Sequence, residues 1–280
     1  MRINNNIPAL NTHRLLNINT EGLQKSLERL SSGKRINRAS DDAAGLAISE
    51  KMEAQIRGLR QASRNSLDGV SLIQTAEGAL NEVHEMIQRM RELSVQGANG
   101  IYEDGDLEAI ANEIKQLTEQ IDKIANDTEF NGISLLKGDL DGGGNTDLRL
   151  QIGANESQFI EVDMSTVKVD PNTLGIEDII KEDSKSEDYE KAIEKYNDAI
   201  EQVSKMRSKL GAIQNRLEHT IKNVDNTAEN LTASKSRIAD LDMAQEMSEF
   251  TKLNILQQAG TSMLSQANQL PQMVLQLLQR

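Results

Sequence analysis

The chain contains no cysteine and no tryptophan, and only three phenylalanines, three tyrosines and three prolines among 280 residues. The lack of cysteine excludes disulfides, zinc–thiolate sites and a cysteine nucleophile. With aromatics at 2%, a compact globular core would lack the side chains that normally supply much of its buried area. Leu, Ile, Ala and Met must supply it instead, as in coiled coils. Positive charge is also scarce: 31 Lys and Arg face 44 Asp and Glu, for a net charge of −13. That balance argues against nucleic acid as a partner, which needs a basic stripe, and keeps free chains soluble and apart. No run of about 18 apolar residues exists, so no membrane insertion is expected. Met1 to Leu10 has neither the basic n-region nor the apolar h-region of a cleaved signal peptide.

Catalytic and metal-binding groups are equally sparse. The histidines are His13, His84 and His219. His84-Glu85 opens a zinc-protease-like HExxH, but Gln88 stands where the second ligand belongs, so the motif fails. Gly142-Gly143-Gly144 is followed by neither a lysine nor a helix start, as a phosphate loop would require. Asp41/Asp42 and Asp240/Asp242 read as helix caps and surface charge rather than as acid/base pairs. An enzyme embedded in the centre would need clustered histidines or paired carboxylates between Gly132 and Asp183, and no histidine lies there. The expectation is a non-enzyme with no cofactor and no metal.

What the chain does have is helical periodicity. Leu16, Leu23 and Leu30 lie seven apart, with Leu27 between, in a first helix expected from about Pro8 to Leu30. A second runs from about Ala43 to Gln96, where Met52, Ile56, Leu59, Ala62, Ser66, Val70, Ile73 and onward to Met90 step by three or four. That spacing is the heptad period of a coiled coil. Leu107, Ile110, Ile114, Leu117, Ile121 and Ile124 predict a third helix folding back after the turn Gly97–Asp106. Val203 to Leu241 keeps unbroken three–four spacing in a fourth block, with Thr220, Thr227 and Ser234 as polar seam positions. In the centre, Leu148/Leu150/Ile152 and Ile160/Val162/Met164 alternate with polar residues, predicting a β-hairpin with one buried face. Glu177 to Glu190 is acidic and reads as a solvated connector. Pro271 is expected to bend or break the last helix.

The fold class expected is therefore mainly α: long antiparallel coiled-coil helical rods with a small central β-hairpin. The organisation is an N-terminal helix and connector (1–40), a first rod segment (41–130), a hairpin and connector (131–185), a second rod segment (186–242) and a C-terminal helix (243–280). The two end helices stand apart in composition. From Phe250 to Arg280 only Lys252 and Arg280 are charged, while seven glutamines sit among leucines. In the first twenty residues six asparagines interleave with Ile3, Ile7, Leu10, Leu15, Leu16 and Ile18. A solvated helix normally carries a charged face; leucine on one side and amide on the other suits packing against many copies of itself. Leu10, Leu16, Leu23, Leu27, Phe250, Leu253, Leu256, Leu264, Leu270, Val274 and Leu277 are the candidate self-assembly residues. A cytosolic coiled-coil signalling or adapter rod, the alternative of a different class, would keep charged flanks to its ends. On the second helix, Gln88-Arg89-Met90-Arg91-Glu92-Leu93 places Arg89 and Leu93 four apart, with Glu113 expected on a neighbouring face. By spacing alone these residues read as a solvated helix with intrahelical pairs.

These residues together resemble a known family. MRINNNIPALN at the start, Leu30-Ser31-Ser32-Gly33-Lys34-Arg35-Ile36, NRASDDAAGLAISEKM from Asn37 to Met52 and IQTAEGAL from Ile73 to Leu80 are similar to bacterial flagellin. So are QRMRELSVQ, TEFNG from Thr128, LGAIQNRLEHTI from Leu210, the stretch Glu229 to Leu256 and QANQLPQMVLQLL from Gln266. The resemblance covers about residues 1–135 and 190–280. It implies a subunit of the bacterial flagellar filament, a helical homopolymer for motility, exported unfolded through the flagellar secretion channel and so extracellular. The end helices would line the filament lumen, the heptad rods would surround them, and the short centre means that outer variable domains are missing. Implied partners, besides other copies of itself, are a flagellar export chaperone, hook-associated and cap proteins, and the animal Toll-like flagellin receptor. Gln88, Arg89, Arg91, Glu92, Leu93 and Glu113 match the receptor-recognition patch. Leu275, Leu277 and Leu278 match the region bound by the chaperone and read by intracellular sensors. A hook–filament junction protein of the same appendage is the nearest alternative.

Overall fold

The computed structural model describes residues 6–138, 146–177, 179–180 and 185–278, with side chains described up to residue 269. Helices α1 (Ile7–Ser32), α2 (Ala43–Gly97) and α3 (Asp104–Asp127) come first. Strands β1 (Glu129–Phe130), β2 (Ile133–Ser134), β3 (Asp147–Gln151) and β4 (Phe159–Asp163) follow. A 3-10 turn η1 (Met164–Val167), a short α4 (Pro171–Leu174), α5 (Ser186–Ala239) and α6 (Met243–Leu278) complete the chain. The fold is mainly helical, with long helices and, among the described residues, two small antiparallel hairpins. The chain divides into two units, one of residues 1–55 and 229–280, the other of residues 56–228.

In the first unit, α1 and α6 lie antiparallel. Asn6 donates to the Ala267 carbonyl at 2.8 Å, Gly260 faces Leu16, Gly22 faces Leu253, and Ser26 hydrogen-bonds to Glu246. The glycines are there for close approach: a Cβ on Gly260 would lie 3.2 Å from Leu16, and one on Gly22 3.4 Å from Leu253. α1 starts on the Asn6 cap, whose side chain accepts from Ala9 N at 3.2 Å. It ends at Gly33, whose φ of 69° is a left-handed cap that closes onto the Arg29 carbonyl. The connector then pairs with the chain leaving α5. Arg35 N donates to Ala239 O at 2.8 Å and Leu241 N to Gly33 O at 3.0 Å, and Ile36 is buried.

Two aspartates play matching parts here. Asp42 accepts from Gly45 N at 2.8 Å at the start of α2, and Asp242 accepts from Ala244 N at 3.0 Å at the start of α6. Both satisfy helix donors that have no intrahelical partner. Asp41 instead ties the connector down. Its carboxylate lies 2.7 Å from Lys25 Nζ on α1 and accepts from Asn37 N and Arg38 N, both at 3.2 Å. The Lys25 hydrogen bond, then those backbone donors, lower its pKa to about 2. A carboxylate depressed in the folded state stabilises above its unfolded pKa of about 3.9 and loses that contribution as pH falls towards the folded value. The stability difference between the parent and Asp41→Asn, followed by chemical denaturation, is therefore expected to be full at pH 6 and to shrink between about pH 4 and pH 2.

In the second unit, α2 and α5 are antiparallel. Gly97 of α2 packs on the Tyr189 ring at the start of α5, Glu77 lies 3.9 Å from Arg207, and Gly69 faces Leu217. The seam buries Ile73, Leu80, Val83, Ile87, Met90 and Leu93 against Tyr196, Val203, Leu210 and Leu217. α3 adds Leu107, Ile110, Ile114 and Ile121 to this core. β3 pairs with β4 in the register Leu148↔Val162 and Leu150↔Ile160, and the alternation buries Ile160 and Val162. The Asn131-Gly132 turn joins β1 to β2 with both residues at positive φ, 52° and 79°, as the tightest hairpin turns require.

One expectation needs correction. Glu177 to Glu190 is not connector throughout: α5 begins at Ser186, and Tyr189 is buried with its hydroxyl donating to the Leu107 carbonyl at 2.8 Å. An aromatic anchor thus sits inside a stretch whose charge masks it. Pro271, expected to bend or locally break the last helix, lies inside α6, which continues to Leu278. A proline removes one hydrogen bond of the ladder, and this helix tolerates the loss.

Candidate functional site

The end helices bury little against each other. Among the described side chains, only Ser26 of α1 and Ala267 of α6 are fully buried. Leu16, Leu23, Phe250, Leu253 and Leu264 are half-buried, and the Gly260–Leu16 and Gly22–Leu253 approaches place two of them in the α1–α6 seam. Leu10, Leu27 and Leu256 are exposed. Sequence reasoning put both sets in one class, because periodicity marks apolar positions without saying which neighbour covers them. Ile7, Leu15 and Ile18, part of the same apolar pattern on α1 but not among the candidates, are exposed too, as are Met243, Met247, Ile255 and Met263 on α6. Leu10 and Ile255 keep 65% and 60% of their surface. The side chains of Leu270, Val274 and Leu277, with Leu275 and Leu278, lie outside the described residues.

Apolar faces this extensive on a net-negative chain mark a surface made for covering. Full burial of each large side chain is worth about 1.5–3 kcal/mol. Spacing places these residues on two sides of α6: Met243 and Met247, four apart, share one, and Leu256 and Met263, seven apart, share the other.

The charged patch on α2 is assembled from two helices. Arg89 Nη2 lies 3.0 Å and Nε 3.1 Å from Glu113 Oε1 of α3, while Nη1 lies 3.5 Å from Glu92. The Glu113 hydrogen bond leads in raising the Arg89 pKa above its ordinary value. Gln88 and His84 sit 3.0 Å apart, and Gln88, Arg89, Arg91, Glu92 and Glu113 are exposed. Leu93 does not join them. It keeps 2% of its surface and lies in the core, because its position falls on the heptad seam that continues Val83, Ile87 and Met90. Its part in this patch is to hold α2 down from beneath.

No group of three or more His, Asp or Glu among the described residues could hold a metal ion. No helix among them is long and apolar enough to cross a membrane.

The profile for the bacterial flagellin N-terminal helical region matches residues 3–140, and that for the C-terminal helical region matches residues 193–278. The chain belongs to the bacterial flagellin family. It is 55% identical to a flagellin of Halalkalibacterium halodurans, over 99% of this chain and all of that protein. It is 52% identical to a flagellin of Bacillus subtilis, again over 99% of this chain and all of the relative. The crystal structure of Bacillus cereus flagellin is 30% identical and superposes with a TM-score of 0.51, over 61% of this chain and 94% of that one. Flagellins are structural proteins of the flagellar filament, and the exposed end helices and heptad rods are to be read in that light.

Proposed function

We propose that this flagellin polymerises into the flagellar filament by burying the exposed faces of α1 and α6 against other copies. One observation carries the reading: α1 and α6 cover each other only in part and leave Ile7, Leu10, Ile18, Ile255 and Met263 in water. A single subunit gains nothing from such faces, whereas a polymer gains the burial of each one. Export of the unfolded chain through the flagellar channel fits the absence of cysteine, since no disulfide has to pass a narrow bore. The Arg89–Glu92–Glu113 patch is the proposed contact for an animal Toll-like flagellin receptor, on its match to the family's recognition motif. An export chaperone and hook-associated and cap proteins are the remaining proposed partners.

The junction-protein alternative is not favoured. A putative flagellar hook-associated protein of Vibrio parahaemolyticus is 15% identical, a likeness of fold alone, whereas flagellins at 52–55% identity match from end to end. Purified monomer mixed with short filament seeds and viewed by electron microscopy tests the proposal. Long tubes with a central channel are expected; persistent monomers or short capped rods would return the junction reading.

A further inference from the structure

We propose a second, end-to-side contact between subunits: the α2–α3 turn of one copy, led by Ile101, seats in the groove between the β3–β4 hairpin and α5 of the next. The inference rests on the filament reading and names a contact made by the second unit, residues 56–228, rather than by the end helices.

Ile101 keeps 77% of its surface, the most of any large apolar residue among the described ones. Its turn is well held. Ala98 N donates to Ser94 O at 2.9 Å and Ile101 N to Asn99 O at 2.8 Å. Tyr102 accepts from Gln96 at 3.3 Å. Gly97 lies flat on the Tyr189 ring, where a Cβ would meet ring carbons at 2.6 Å. Val95 adds a second exposed apolar side chain nearby in sequence. The exposed Glu103, Asp104 and Asp106 follow directly. The result is an ordered apolar knob with an acidic collar.

The groove offers the complement. Its volume is about 300 Å³, and its apolar lining is Val167 and Leu210, both buried, with Ala212 and Ile213 beside them. That is roughly ten times the share of one liquid water, about 30 Å³, enough for a branched side chain and its neighbours. Lys209 and Arg216 stand on the rim, seven residues apart on α5 and both exposed. Neither has an ion-pair partner among the described residues. The rim's carboxylates are engaged within their own chain: Glu161 lies 3.8 Å from Arg149, and Asp163 accepts from Ser165 N at 2.9 Å. The cations left over face the acidic collar.

The knob cannot reach the groove of its own chain. It sits by Tyr189 at the start of α5, and the groove begins at Lys209, twenty residues or about 30 Å further along the helix. The occupant is therefore a second copy. Joining unlike surfaces gives a heterologous contact, the kind that propagates as an open helical filament.

The lack of native cysteine makes the test direct. Full-length chain carrying Ile101→Cys and Ala212→Cys is polymerised under reducing conditions, then oxidised and run on a non-reducing gel. A ladder of dimers, trimers and higher multimers is expected, and neither single variant should give more than dimers. Filaments that yield no ladder would overturn this contact and leave the filament reading standing. Failure of the parent chain to polymerise would instead overturn the filament reading. Charge reversal decides the matter without cysteines. Glu103→Lys and Lys209→Glu should each slow seeded elongation about fivefold, and the pair together should recover most of that loss. Additive losses in the pair would reject the contact.

Discussion

Ile18→Asp combined with Ile255→Asp is expected to abolish polymerisation while leaving the monomer folded. Both side chains are exposed in the isolated chain, so each substitution should move stability by less than about 0.5 kcal/mol. In a polymer each carboxylate would have to enter an apolar interface unpaired, at a cost of several kcal/mol per subunit. Seeded elongation followed by light scattering should therefore fall at least about a hundredfold, with the thermal melt unchanged. Deleting residues 1–30 or 250–280 should have the same effect by a coarser route. The remaining end helix would lose its seam partner and, like most single helices in water, be only marginally formed. Residues 56–228 keep a core that the deletions do not touch, so a soluble and still partly helical monomer is expected. Filaments formed by either truncation would contradict the role given to the ends.

The second large effect separates two residues that spacing alone placed side by side. Leu93→Ala empties a site in the α2–α5 core and should cost about 2–5 kcal/mol, read as a lower denaturation midpoint. Arg89→Ala removes an exposed ion pair with Glu113 and should cost less than about 1 kcal/mol. If the patch is what an animal flagellin receptor reads, Arg89→Ala should cut receptor signalling by the monomer at least tenfold at unchanged stability. Leu93→Ala should cut signalling only as far as it unfolds the patch. A stable Arg89→Ala protein with full signalling would return this surface to an ordinary solvated helix.

Helix identity was legible because the heptad repeat over Val203–Leu241 and Leu107–Ile124 repeats one physical instruction many times. Asp42 and Asp242 were legible as caps for a similar reason, since carboxylates before apolar runs have few other uses. The errors arose where a single residue outweighed its neighbours. Tyr189 anchors α5 inside an acidic stretch, and Leu93 follows the seam although charged residues flank it. The division of end-helix leucines between seam and free face was not legible at all. It depends on which residues of α1 meet which of α6, and Gly22 and Gly260 set that register by admitting Leu253 and Leu16. The groove beside α5 was hidden for the same reason, being built from elements some forty residues apart in the chain.

The measurement that bears most directly on the account is a helical reconstruction of the assembled filament at side-chain resolution. The account predicts that Leu10, Ile18, Ile255 and Met263 are buried against neighbouring subunits, with α1 and α6 as the innermost layer. Finding those four side chains still in water, with subunits joined through the rods alone, would contradict it.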